Sequence, residues 1–137
     1  MKLGLSFTLI CILIVFGGIV TVSAMKSNVI GKTLTAQEAE KKWGKTPFDA
    51  IGFKKGTTQE RAKMASDILA KQAFKGAKTS IVREQLGDPN GYFWSDRIPA
   101  YLLNEGSKPN EEVWQLVFLP GANETVSDVV INKNCCE

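Results

Sequence analysis

Apolar residues run almost unbroken from Leu3 to Val22, and only beyond Lys26 do polar and apolar positions take the mixed spacing of a folded domain. With Lys2 before it and Val22-Ser23-Ala24 after it, residues 1–24 have the basic start, apolar middle and small-residue cut site of an export signal. Cleavage after Ala24 is one reading. An uncleaved membrane anchor is the other, since the stretch is long enough to span a bilayer. Residues 25–33 form a polar lead, residues 34–132 a single domain, and residues 133–137 a tail.

Within the domain the spacing is first helical. Thr35-Ala36-Gln37-Glu38 is a capping box, in which hydroxyl and carboxylate each satisfy the other residue's N–H. Ala36, Ala39 and Trp43 then fall on one face, and Gly44 ends the helix. Residues 45–56 read as a connector pinned to the core by Phe48, Ile51 and Phe53. A second box, Thr57-Thr58-Gln59-Glu60, opens a helix through Phe74 with Ala65, Ile68, Leu69 and Ala73 as its apolar stripe and Gly76 as its stop. A third helix, Ser80 to Leu86, is expected to be capped by Thr79 and ended by Gly87 and Pro89.

Beyond Asn90 the period changes to two, which predicts sheet. The expected strands are Tyr92–Ser95, Ile98–Leu103, Val113–Leu119 with Trp114, Leu116 and Phe118 on one face, and Thr125–Ile131 after a turn at Gly121-Ala122-Asn123. Helices followed by consecutive strands give an α+β fold: N-terminal helices packed on one face of a three- to four-stranded antiparallel meander.

The formal charge of +3 implies neither strong nucleic-acid binding nor strong repulsion, and no nucleic-acid partner is expected, but its distribution is uneven. From Lys26 to Arg83 thirteen Lys/Arg face five Asp/Glu, whereas Glu84 to Glu137 holds three against nine. The basic N-terminal half is therefore a candidate to face anionic lipid headgroups.

The chemistry of common enzyme sites is missing. The chain has no His, which removes Ser-His and Cys-His nucleophile pairs, and it contains no phosphate-binding glycine loop, zinc helix or calcium loop. Glu111 and Glu112 are adjacent on a loop and point apart, unlike an acid and base pair. No catalytic, cofactor-binding or metal-binding residue is assigned. Cys135-Cys136 could form a vicinal disulfide, bond another chain, stay free, or serve thiol redox chemistry.

Three stretches carry a resemblance. Phe74-Lys75-Gly76-Ala77-Lys78-Thr79 with Val82 and Leu86-Gly87-Asp88-Pro89 resembles a "G-x-T/S, x-x-V, x-x-L-G-x-P" helix. Tyr101-Leu102-Leu103 and Val113-Trp114-Gln115-Leu116-Val117-Phe118 resemble paired "Y-x-L" and "W-x-L-x-F" strands, and Val126 to Ile131 fits a closing strand. In order and spacing these are similar to the SmpA/OmlA domain of small bacterial envelope proteins, whose type is the outer-membrane assembly lipoprotein BamE. An "R-x-x-M-x-x-D" helix, here Arg61, Met64 and Asp67, precedes the same unit in related bacterial proteins. The resemblance implies a BamE-like two-layer sandwich and a role in envelope assembly or maintenance. Ile10 precedes Cys11 where a lipidated cysteine follows a small residue, so lipid anchoring does not carry over.

The expected function is non-enzymatic: an exported protein, periplasmic or membrane-anchored, that acts by contact with another envelope protein. Tyr92, Trp94 and Tyr101 are the candidate contact residues, because aromatic rings on a free sheet face anchor interfaces, and the sheet edge near Tyr92–Leu103 is a candidate strand acceptor. The architecture also resembles the repeated unit of β-lactamase inhibitory protein, which makes a secreted inhibitor-like binding module the alternative.

Overall fold

Two capping boxes start two of the helices. In the computed structural model, which describes residues 31–106, 108–109 and 111–134, Thr35 Oγ1 accepts the Glu38 N–H at 3.2 Å and the Glu38 carboxylate accepts the Thr35 N–H at 2.7 Å. They open α1 (Ala36–Trp43), which ends at Gly44 with φ of 88°. Residues 45–56 depart from the expected connector, because Asp49 accepts the Gly52 N–H at 2.8 Å and caps a short helix, α2 (Ala50–Lys55). Of its apolar residues Phe53 is buried and Phe48 is half-buried, but Ile51 points outward and is 67% exposed, so it pins nothing. The second box, at Thr57 and Glu60, opens α3 (Thr58–Lys71). Donors from the capping threonines hold the Glu38 and Glu60 carboxyls below their ordinary value.

Helix α3 stops earlier than its pattern suggests. Gln72 takes the left-handed conformation with φ of 48°, and residues 72–77 cross to the sheet as turns rather than as the helix expected through Phe74. The cause is tertiary. The Gln72 amide donates to the carbonyls of Leu69 and Val129, each at 3.0 Å, and accepts the Val129 N–H at 2.9 Å. Gly76, expected to stop the helix, donates instead to the Val126 carbonyl at 2.8 Å. Helix α4 (Thr79–Leu86) then begins at Thr79 itself, with Lys78 at the cap position and no side-chain capping bond, so the expected Thr79 cap is not formed. Gly87 ends it as expected, with φ of 85°.

Four strands make one antiparallel sheet in the order β1 (Thr33–Leu34), β4 (Val126–Asn134), β3 (Val113–Pro120), β2 (Ala100–Leu102). The last three strands form the expected meander, and the outer strand β1 comes from just before the helices and pairs with β4. Residues 92–95 form no strand; they belong to a turn described below.

Alternation along the strands sorts residues to two faces. Tyr101, Trp114, Leu116, Phe118 and Ile131 point to the helices and pack with Ala39, Phe53, Ala65, Ile68 and Leu86 in one core. Tyr101 stacks edge-on against Phe53 at 5.4 Å and Phe118 at 6.0 Å. The Arg61, Met64 and Asp67 pattern is part of this packing. Arg61 Nε donates to the Phe53 carbonyl at 2.8 Å, with its guanidinium over the Phe53 ring. The Asp67 carboxylate, 6% exposed as a residue, accepts from Lys71 Nζ and from the Phe48 N–H, both at 2.8 Å. The Arg61 bond ties α2 to α3 and the Phe48 bond ties the segment before α2 to α3, while the two Asp67 bonds hold its carboxyl below the usual carboxylate range.

The outer edge of β4 is closed along its length. Ala77 and Gly76 bond Val126, Gln72 bonds Val129, Leu34 pairs with Ile131, and Lys32 accepts from Lys133. An amide side chain has the donor and acceptor geometry of a peptide unit, so Gln72 fills the gap between two backbone partners. Edges left open invite pairing with other chains.

Candidate functional site: the Tyr92–Trp94 turn

Pro89-Asn90-Gly91 carries the chain from the end of α4 along the edge of β2. Leu103 N–H donates to Trp114 and Phe118 N–H to Pro99, so residues 99, 101 and 103 face β3, and 100 and 102 turn their backbone groups outward. Two of these outward groups are already used. Gly91 N–H donates to the Ala100 carbonyl at 2.9 Å, and the Leu102 N–H donates to Asn90 Oδ1 at 3.0 Å. The edge near Tyr92–Leu103, expected from the sequence to accept a strand, is thus partly covered by residues 90–91 of the same chain. A side chain at position 91 would crowd this contact, since a Cβ there would lie 2.7 Å from Gln115 Oε1 and 3.1 Å from the Ala100 carbonyl oxygen.

From Gly91 the chain folds over the sheet face opposite the helices. Gln115 lies on that face of β3 and is only 1% exposed. Its amide accepts the Tyr92 N–H at 3.2 Å and donates to the Tyr92 carbonyl at 2.9 Å and to Asn132 Oδ1 at 3.0 Å. Phe93 turns inward and is 8% exposed, while Tyr92 and Trp94 stand out at 57% and 69%. Ser95 N–H bonds the Phe93 carbonyl at 2.6 Å, closing a γ-turn with Trp94 at its centre and φ of 60°. That turn form is rare and strained, and a bulky side chain at positive φ is an outlier. Tyr92 Oη donates to the Trp94 carbonyl at 3.0 Å, and Arg83 of α4 donates to the Asp96 carbonyl.

The three candidate contact residues thus separate. Tyr92 and Trp94 share the exposed turn. Tyr101 is fully buried, its hydroxyl donating to the Gly87 carbonyl at 2.8 Å and its pKa pushed up to about 12 by burial, so its ring is not offered to a partner. Strand alternation puts its side chain on the core face, whereas Tyr92 and Trp94 left the strand pattern altogether. Gln115, Gly91 and Asn132 escaped the sequence reading. The available signal was a glutamine inside the otherwise apolar Val113–Phe118 run.

Other candidate chemistry resolves into structure. Glu112 bonds Lys133 at 3.1 Å and Lys32 at 3.6 Å, and the Lys133 contact holds its carboxyl low. A cleft of about 530 Å³ opens between α1, α3 and the chain after β2, but its carboxylates Glu105 and Glu111 are solvent-exposed and Glu105 already accepts from Thr58. No group of His, Cys, Asp and Glu that could hold a metal occurs among the described residues. Cys135, Cys136 and the segment 1–24 lie outside the described residues. Among the described residues no helix is long and apolar enough to cross a membrane. Among the described residues the four α-helices fall between Ala36 and Leu86, so the basic half of the sequence forms the helix layer and the acidic half supplies β2, β3, β4 and their loops.

Comparison with protein-family models, with curated proteins and with solved structures gave no match.

Proposed function

We propose that this is an exported, non-enzymatic protein of the bacterial cell envelope that acts by contact with another envelope protein, with the Tyr92–Trp94 turn as its contact surface. The observation that carries the reading is the exposure of two aromatic rings, 57% and 69%, on a turn whose backbone is bonded down at Tyr92 and at the Trp94 carbonyl. Rigid aromatic side chains anchor interfaces because they bury much area at little entropic cost. The apolar N-terminal segment supports export, and the likeness to SmpA/OmlA domains, with helices on one sheet face in a BamE-like arrangement, supports a role in outer-membrane assembly or maintenance. With residues 90–91 along β2 and Gln72 on the stretch of β4 beyond β1, docking is expected through side chains rather than by strand addition at these places. The cationic helix layer suits a second, weaker contact with anionic lipid, which orients the domain at a membrane surface.

The test is site-specific photocrosslinking in intact cells. A photoreactive residue at position 92 is expected to trap a second envelope protein, and one at exposed Ile51 in the helix layer is not. Crosslinks from 51 but not from 92 would move the contact to the helices. Recovery of monomer alone, with thiol turnover by the purified chain that is lost on Cys135→Ser, would replace binding with redox chemistry.

A further inference from the structure

We infer that Gln115 is the positioning residue of this contact: its buried amide fixes the main chain at Tyr92 so that Tyr92 and Trp94 meet a partner in one arrangement. The inference rests on the turn being the contact surface and adds what makes it specific. A sheet face covered only to bury apolar surface needs no amide there. At 1% and 4% exposure, Gln115 and its cross-strand partner Asn132 are desolvated, an arrangement that costs stability unless every bond is made, and asparagine is disfavoured in strands. Buried polar networks of this kind contribute uniqueness of arrangement more than stability.

The geometry matches that role. The Gln115 amide binds both backbone groups of Tyr92, as a neighbouring strand would, at a place where residues 91–95 form no strand. Asn132 Oδ1 accepts from Gln115 Nε2, fixing which end of the amide donates and hence which way Tyr92 faces. Gly91 lets the chain come this close, and Phe93 seats the turn from beneath. The positive φ at Trp94 is held by these bonds rather than by its own preference, and strain of that sort persists only where surrounding structure over-determines it. Without Gln115 the turn has freedom to relax, and the two rings lose their fixed relation.

The experiment uses the full chain labelled with 5-fluorotryptophan, with Gln115→Met, which keeps volume and removes the amide. Loss of the two hydrogen bonds to Tyr92, with that to Asn132, is expected to speed exchange of the Tyr92 amide by about tenfold or more. The Trp94 fluorine line should move toward the solvent position while the Trp43 and Trp114 lines stay. Crosslinking from position 92 should fall toward the level of Trp94→Ala. Gly91→Ala attacks the same clamp from the other side and should reproduce the Trp94 shift, which keeps the test intact if Gln115→Met folds poorly. If Trp94→Ala abolishes crosslinking but Gln115→Met and Gly91→Ala leave the Trp94 line and the crosslinks unchanged, the positioning role is wrong and the contact surface stands. Crosslinking that survives Trp94→Ala overturns the contact surface itself, and the positioning role with it.

Discussion

Gln72 sets two physical effects against each other, and a substitution series separates them. Its left-handed backbone, φ of 48°, favours glycine, so Gln72→Gly should gain about 1 kcal/mol of backbone preference. The same change removes the amide that bonds both backbone groups of Val129, a residue only 2% exposed. A buried donor or acceptor left unsatisfied costs roughly 1–3 kcal/mol, so two of them outweigh the backbone gain. Gln72→Gly is therefore expected to destabilise by about 1–5 kcal/mol. Gln72→Ala, which loses the bonds and keeps the strained backbone, should cost about 1 kcal/mol more. Gln72→Glu keeps the acceptor for Val129 N–H but sets a carboxylate against the carbonyls of Leu69 and Val129. It should recover part of the loss on acidification, when the protonated acid can donate. Urea unfolding gives the free energies, and amide exchange at Val129 reports the bond directly. A glycine variant as stable as the parent, with Val129 exchange unchanged, would show that backbone conformation rules this position and that the side chain does not seal the edge.

Two further outcomes follow from the core. Trp114 is 1% exposed and its Nε1 finds no acceptor among the described residues, so Trp114→Ala should cost about 3–5 kcal/mol by denaturation, and Trp114→Phe much less because it also removes an unsatisfied donor. Asp67 has a folded pKa below the 3.8 of an unperturbed carboxyl, because Lys71 and the Phe48 N–H favour its charged form. Its contribution is present above that unfolded value and is lost as pH falls through the lower folded one. Asp67→Asn should therefore lower the urea midpoint at pH 7 and flatten the decline in stability below about pH 4; an unchanged acid limb would remove Asp67 from the account.

The helices that announce themselves in the sequence are those with local instructions. The Thr35 and Thr57 boxes and the Gly44 and Gly87 stops act within one turn of chain, so the starts of α1 and α3 and the ends of α1 and α4 were legible. Strand alternation likewise identified the inner face of β3 and the α+β class. What failed to show was set by contacts distant in sequence. Helix α3 stops at Lys71 because Gln72 is needed by Val129, 57 residues on, and no local pattern encodes that. Residues 92–95 look like a strand by composition, yet Gln115, 23 residues away, offers them a side chain instead of a backbone partner. Tyr92, Trp94 and Tyr101 are alike as residue types; which of them reaches solvent depended on the path the chain takes over the sheet. Read alone, the residues show where helices can nucleate, which strand face is apolar, and that histidine is absent. Side-chain amides of Gln72 and Asn90 bonded to β4 and β2, and two aromatic rings left outside, emerge only once the chain is folded, because hydrogen bonds between remote residues outweigh local preferences that are each worth less than about 1 kcal/mol.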